Sequence, residues 1–290
     1  MAKGAGLARL VRLEDIEVFR QYNTFIHSGY RVDFRWRDAL GSLWYRHNEL
    51  WNVWTHLGGA AFFVAVTLHS YATWLSDGVW EDWLFYLPYA LASVYCCTAS
   101  SFFHLTDCLG EGWYQLGVRL DYTGIVSLIV GSYVTMLHYL FPCSLPSKLA
   151  WALGETGVGG LALYLSLSPT FQRPQFAGLR AGLFILTSLV GVFCAPHFLY
   201  QYAALDVDVA DLLPGFLLLL SMGAMYILGA GFYAAKVPER WWPGRFDLAF
   251  MQSHVIFHLF VCAGTFTTYL SCRWFHAWRI SSGFSCPTVA

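Results

Sequence analysis

The chain has 290 residues, of which 57% are hydrophobic and 12% charged, with a mean hydropathy of +0.48. That is too apolar for a soluble domain of this length and makes it an integral membrane protein. A net charge of -1 gives no reason to expect nucleic acid as a partner, since that footprint needs a basic face.

In chain order, residues 1–49 form a cytosolic amino-terminal segment. Its first apolar stretch, Leu10 to Phe19, is broken by Arg12, Glu14, Asp15 and Glu17, so it is no secretory signal and at most an amphipathic surface helix. Trp36, Leu40, Leu43 and Trp44 recur at helical spacing among Arg35, Arg37, Asp38 and Arg46, which predicts an interfacial helix along the inner leaflet. Seven apolar segments follow, near 50–75, 83–106, 120–142, 149–168, 180–204, 212–235 and 249–272, each long enough for a hydrocarbon core that takes about 20 residues per helix. The expected fold is all-α: seven transmembrane helices packed as one domain over residues 50–272, with 273–290 as a short polar tail.

Fourteen of the 17 Lys and Arg residues fall before the first span or in the second-to-third, fourth-to-fifth and sixth-to-seventh connections. Basic residues favour the cytosolic side, so the amino terminus is expected inside and the carboxyl terminus outside. The other side holds Lys148, Arg273 and Arg279 with the acidic groups Asp77, Glu81, Asp82, Asp206, Asp208 and Asp211. This is opposite to ordinary heptahelical G-protein-coupled receptors, so helix count alone assigns no such function. Lys3, Lys148 and Lys236 are the only lysines, and none lies inside a span where it could carry retinal as a Schiff base.

With that orientation, His104 ends the second span and His254 and His258 open the seventh, all at the cytosolic edge. His254 and His258 are spaced i, i+4, which puts both imidazoles on one helix face. Ionisable groups inside a bilayer are costly and mark functional positions. Three neutral imidazoles make an open Zn²⁺ site, favoured weakly over iron or copper. Zinc acidifies water and polarises a carbonyl, the two requirements for hydrolysing an amide or ester. Asp121, at the same level on the third span, would accept a proton from the water or orient it, and Ser100, one turn before His104, would hydrogen-bond behind it. The plainer reading is that such polar residues only hydrogen-bond neighbouring helices.

Other polar residues carry less. His27, His47, His69, His138 and His276 read as interfacial or solvated, and Pro196 beside His197 as a kink. Glu155 lies far from the inner edge. Cys96, Cys97, Cys108, Cys194 and Cys262 read as small buried packers, while Cys143, Cys272 and Cys286 can meet on one side of the membrane, the pairing left open.

The stretch Asn48-Glu49-Leu50-Trp51-Asn52-Val53-Trp54-Thr55-His56, Ser100-x-x-x-His104 with Leu120-Asp121-Tyr122-Thr123-Gly124-Ile125, the connection Val237-Pro238-Glu239-Arg240-Trp241-Trp242-Pro243-Gly244, and Ser253-His254-x-x-x-His258 together resemble the progestin and adipoQ receptor family, closest in pattern to adiponectin receptors. The resemblance covers about residues 22–272. It implies seven helices with a cytosolic amino terminus, Zn²⁺ held at His104, His254 and His258, and a water near Asp121. It also implies ceramidase-like hydrolysis of a lipid amide drawn from the bilayer and, in some members, a receptor role for an extracellular protein; the expected location is the plasma membrane, with an endomembrane as the alternative. Two alternatives stand beside it: a non-catalytic receptor or scaffold with structural zinc, and a relative of the alkaline ceramidases, which share a Ser, Asp and three-His inventory. Glu49, Asn52 and His56 share one helical face and are assigned to packing and supporting hydrogen bonds, with His56 as the substitute ligand should His104 be wrong.

Overall fold

The computed structural model describes residues 9–168, 170 and 176–287. The elements run β1 (Arg9–Arg12), β2 (Ser28–Val32), α1 (Trp36–Gly41), α2 (Leu50–Ala72), α3 (Trp80–Thr106), α4 (Glu111–Leu140), α5 (Leu145–Leu167), α6 (Ala177–Phe193), α7 (Ala195–Ala204), α8 (Leu213–Ala235) and α9 (Ser253–Ser281). Among the described residues, four helical stretches are long and apolar enough to cross a membrane by length and composition: Glu111–Leu140, Gly182–Ala204, Val209–Ala235 and Ser253–Ser281.

The chain forms two compact units. The first gathers the described residues up to Ala60 with Cys97–Asp121 and Gly223–Gly264. Its amino-terminal part corrects the expectation of a surface helix, because β1 pairs antiparallel with β2. Within β1 and the turns after it, apolar and charged residues alternate too closely for a helical stripe. Ile16, Ile26 and Tyr30 pack into a small core beneath the hairpin. In the segment expected at the interface, α1 and a 3₁₀ turn, Ser42–Trp44, leave Trp36, Leu40 and Trp44 exposed.

The second unit comprises the described residues of Ala61–Cys96, Tyr122–Met222 and Thr265–Ala290. Tyr86, Tyr89, Leu137, Phe141, Tyr202 and Phe275 are among the side chains filling its core. Pro88 sits inside α3 and cannot donate to its own turn. The hydroxyl of Thr135 enters the neighbouring rung, donating to the Phe85 carbonyl at 2.7 Å and accepting from the Tyr89 N–H at 3.2 Å. A polar side chain thus re-satisfies the opened backbone, as an apolar environment demands.

Other differences from the expected spans have local causes. The fifth span is two helices, with the break at Cys194 and Pro196 in the first turn of α7. There His197 accepts from Trp151 Nε1 at 2.9 Å and contacts Gln201. Helix α4 begins at Glu111 rather than near 120, and α9 continues to Ser281, so much of the expected tail is helical. Arg279 reaches back to Asp82, which also takes His138 Nε2 at 2.7 Å and faces His276 at 3.6 Å. His138 and His276 are therefore buried rather than solvated, because one buried carboxylate needs donors. His47 is buried as well, and burial together with the Arg31 charge pulls its pKa down to about 3. Of the three cysteines left open, Cys143 and Cys286 form the disulfide, and Cys272 is buried in the core against Met136.

Candidate metal centre

Two long-range anchors, both within the first unit, set the helix ends that present the histidines. The last carbonyls of a helix lack partners within it. At the end of α3, the guanidinium of Arg31, fully buried on β2, donates to the His104 carbonyl and, at 3.3 Å, to that of Leu105. It also donates to Ser42 Oγ at 2.9 Å and pairs with Asp107 at 2.5 Å, where Arg20 adds a second contact at 3.4 Å. A cation at a helix carboxyl end also complements the helix dipole. At the start of α9, the Ser253 N–H and hydroxyl donate to buried Glu239, the former at 2.9 Å. Asn23 Nδ2 holds the same carboxylate at 3.0 Å. An acidic acceptor at this end satisfies an orphan N–H and complements the dipole.

Between these anchors His104, His254 and His258 come together, with one ligand nitrogen from each within 4.8 Å of the others. Their ring centroids are 4.8 Å (His104 to His254), 5.1 Å (His104 to His258) and 4.7 Å (His254 to His258) apart. His104 Nδ1 lies 2.8 Å from Glu49 Oε2, so a carboxylate takes the Nδ1 proton and leaves the lone pair on Nε2. His258 Nδ1 lies 3.1 Å from Thr55 Oγ1, whose own proton goes to the Trp51 carbonyl at 2.7 Å. The imidazole is then the donor, and its lone pair is again on Nε2. His104 Nε2 and His254 Nδ1 are buried without any hydrogen-bond partner. Unsatisfied buried nitrogens are costly, and three converging imidazoles, two of them with fixed tautomers, are a donor set that fits a Zn²⁺ ion.

Glu49 is the residue whose weight the sequence understated. It lies just before α2 and its carboxylate is saturated: Oε1 accepts from Tyr22 Oη at 2.9 Å and Asn48 Nδ2 at 2.8 Å, and Oε2 from Asn52 Nδ2 at 2.7 Å as well as His104. Burial alone would raise its pKa, but the hydrogen bonds from His104 and Asn52 hold it below the ordinary carboxylate range. Local pattern placed Glu49 and Asn52 on one face and Glu239 in the motif Val237–Gly244, whereas the pairing of Tyr22 with Glu49 and of Asn23 with Glu239 carried no local signal, the partners being distant in the chain.

Asp121 lies on α4 and Ser100 on α3, both in the unit that holds the histidines. Ser100 is buried and lies close to the Asp121 carboxylate, which is within electrostatic reach of His104 and His56. His56 does not join the three histidines. It stacks on His258 with ring centroids 3.6 Å apart and clusters instead with Cys97 and Cys262.

The haemolysin-III-related family model matches residues 44–269. An adiponectin receptor protein of Drosophila melanogaster is 34% identical over 90% of this chain and 58% of its own length. Heptahelical transmembrane protein 1 of Arabidopsis thaliana is 33% identical over 91% of this chain and 80% of its own length. A progestin and adipoQ receptor-like protein of Caenorhabditis elegans is 28% identical over 90% and 59% respectively. The chain thus spans less than two thirds of the length of the fly and nematode relatives. Matched across most of its length, it belongs to the haemolysin-III-related proteins of the progestin and adipoQ receptor family and is an adiponectin-receptor-like membrane protein.

Proposed function

We propose that this protein is a zinc-dependent intramembrane hydrolase of a lipid amide of the ceramide type, with seven spans, a cytosolic amino terminus and a place in the plasma membrane. The observation that carries this reading is the convergence of three imidazoles, those of His104 and His258 buried and that of His254 half-buried, two of them with unpartnered nitrogens, beside Ser100 and Asp121. His104, His254 and His258 would hold the ion. When bound, zinc would supply Lewis acidity toward the amide carbonyl and lower the pKa of a bound water to about 7. Asp121 takes the water's proton and passes it to the leaving nitrogen, and Ser100 holds the Asp121 carboxylate in one orientation. Glu49 keeps His104 in the tautomer whose Nε2 lone pair faces the cluster. A substrate whose acyl chains already lie in the bilayer reaches such a site without leaving it. The orientation draws support from Cys143–Cys286, since disulfides persist in oxidising compartments. Both cysteines follow helices, α4 and α9, whose carboxyl ends this topology places outside.

The names of the fly and nematode relatives favour a second reading, a receptor for an extracellular protein in which zinc is structural. One set of measurements separates the two. Replacing His104, His254 and His258 together by Ala is expected to remove one equivalent of zinc per chain. Asp121→Asn is expected to retain zinc while fatty-acid release from a ceramide panel falls about 10²- to 10⁴-fold. Equal zinc in wild type and the triple variant removes the assigned site. Zinc-loaded wild type that releases no fatty acid leaves the receptor reading.

A further inference from the structure

A second set of metal-ligating side chains lies in the first unit. His56 on α2, Cys97 on α3 and Cys262 on α9 each offer one ligand atom, and these atoms all lie within 4.8 Å of one another. His56 and Cys97 are buried and Cys262 is half-buried. Neither ring nitrogen of His56 has a hydrogen-bond partner in good geometry, an expensive condition for a buried imidazole. Room for the two sulfurs is made on α2 itself, one turn beyond His56. A Cβ added at Gly59 would stand 2.9 Å from Cys262 Sγ and 3.1 Å from Cys97 Sγ. Neither cysteine takes part in the disulfide of the second unit. The helices that present the three histidines present this set as well: Cys97 is two turns before His104 on α3, and Cys262 one turn after His258 on α9. At 1.5 Å per residue these steps are about 10 Å and about 6 Å along the helix axes.

We infer that His56, Cys97 and Cys262 form a second metal site, distinct from the three-histidine centre, that takes a Zn²⁺ ion. Two thiolates and an imidazole are a known open zinc donor set, and soft sulfur ligands select zinc or monovalent copper over magnesium, calcium or manganese. Charge decides between the two. As Zn²⁺ enters, two Zn–S bonds and one Zn–N bond form, and both thiol protons leave to solvent. The cluster of one dication, two thiolates and one neutral imidazole has no net charge. Monovalent copper in the same ligands would leave a net charge of -1 in an apolar interior, where uncompensated charge is strongly disfavoured. The stacked rings of His56 and His258 put one ligand of each site face to face, 3.6 Å between centroids. Occupancy of one site therefore fixes the ring against which a ligand of the other packs.

The inference is independent of whether the three-histidine centre is catalytic, and metal content with cobalt spectroscopy on the purified full chain tests it. Wild type is expected to hold two zinc ions per chain, and Cys97→Ser with Cys262→Ser only one. The His104, His254 and His258 triple alanine variant is expected to keep the other. Titrating apo wild type with Co²⁺ is expected to give a sulfur-to-cobalt charge-transfer band in the near ultraviolet. The band should persist in the triple histidine variant and vanish in the double cysteine variant. The wild-type band alone reads the site even where a variant fails to fold. Its absence overturns the inference, as does unchanged zinc in a folded double cysteine variant. Peptide mapping that finds Cys97 and Cys262 joined as a disulfide in the unreduced protein also overturns it, since no thiolate pair would then exist.

Discussion

Glu49 shows how much one buried carboxylate organises. Its two oxygens receive four donors from Tyr22, Asn48, Asn52 and His104, so it ties the amino-terminal segment and the start of α2 to the end of α3. Partners of ligating histidines set ring orientation and basicity, and their loss typically costs 10- to 100-fold in metal affinity. Glu49→Gln keeps an acceptor for His104 Nδ1 but removes the charge. We expect about tenfold to 100-fold weaker zinc binding at the three-histidine centre, measured by competition with a chromophoric chelator. Unaltered affinity would show that the Glu49 charge does not act through His104. The i, i+4 spacing of His254 and His258 and the position of Glu49 at the head of an apolar run were visible in the chain. That Glu49 touches His104 was not, because 55 residues separate them.

Among the elements, α9 depends on a residue outside itself. Glu239 accepts from Ser253 at the first turn and from Asn23, 216 positions away. Glu239→Ala leaves the Ser253 N–H and the Asn23 amide without their acceptor in a buried place. The expected cost is about 1–3 kcal/mol, seen as a lower thermal unfolding midpoint in detergent, with zinc more easily stripped from the three-histidine centre. A midpoint equal to wild type would mean that water or another side chain replaces the carboxylate without loss. Helix α3 makes the same point at Pro88, where Thr135 of α4 fills the interrupted rung. Periodicity gave the existence of both helices, but what completes their ends and interruptions comes from other parts of the chain. The hairpin of β1 and β2 was missed for a related reason: four- and five-residue strands hold too few residues for a period to declare itself.

For the molecule as a whole, the Cys143–Cys286 bond closes a loop of 143 residues. A cross-link over so long a loop restricts the unfolded chain strongly, and removing a native disulfide typically costs about 2–5 kcal/mol. Replacing Cys143 and Cys286 together by Ser is expected to lower the unfolding midpoint and to make it insensitive to reductant, while zinc content stays that of wild type. A midpoint that still falls on adding reductant to the double variant would point to a different bond as the stabilising one. The Asp82 cluster with His138, His276 and Arg279 lies in the same unit as this bond. It explains why α9 runs on as helix through residues that composition alone assigned to a polar tail.

Composition and periodicity by themselves established a helical membrane protein, most of its helix positions, a paired-histidine face and the family pattern, because these depend on local hydrophobicity and spacing. Tertiary structure alone decided which donors serve Glu49, Glu239 and Asp82, which two cysteines bond, and that His56 keeps company with Cys97 and Cys262 instead of the three histidines. Buried polar groups must find partners wherever the fold supplies them, and in this chain those partners are mostly tens to hundreds of residues away, beyond the reach of any local pattern.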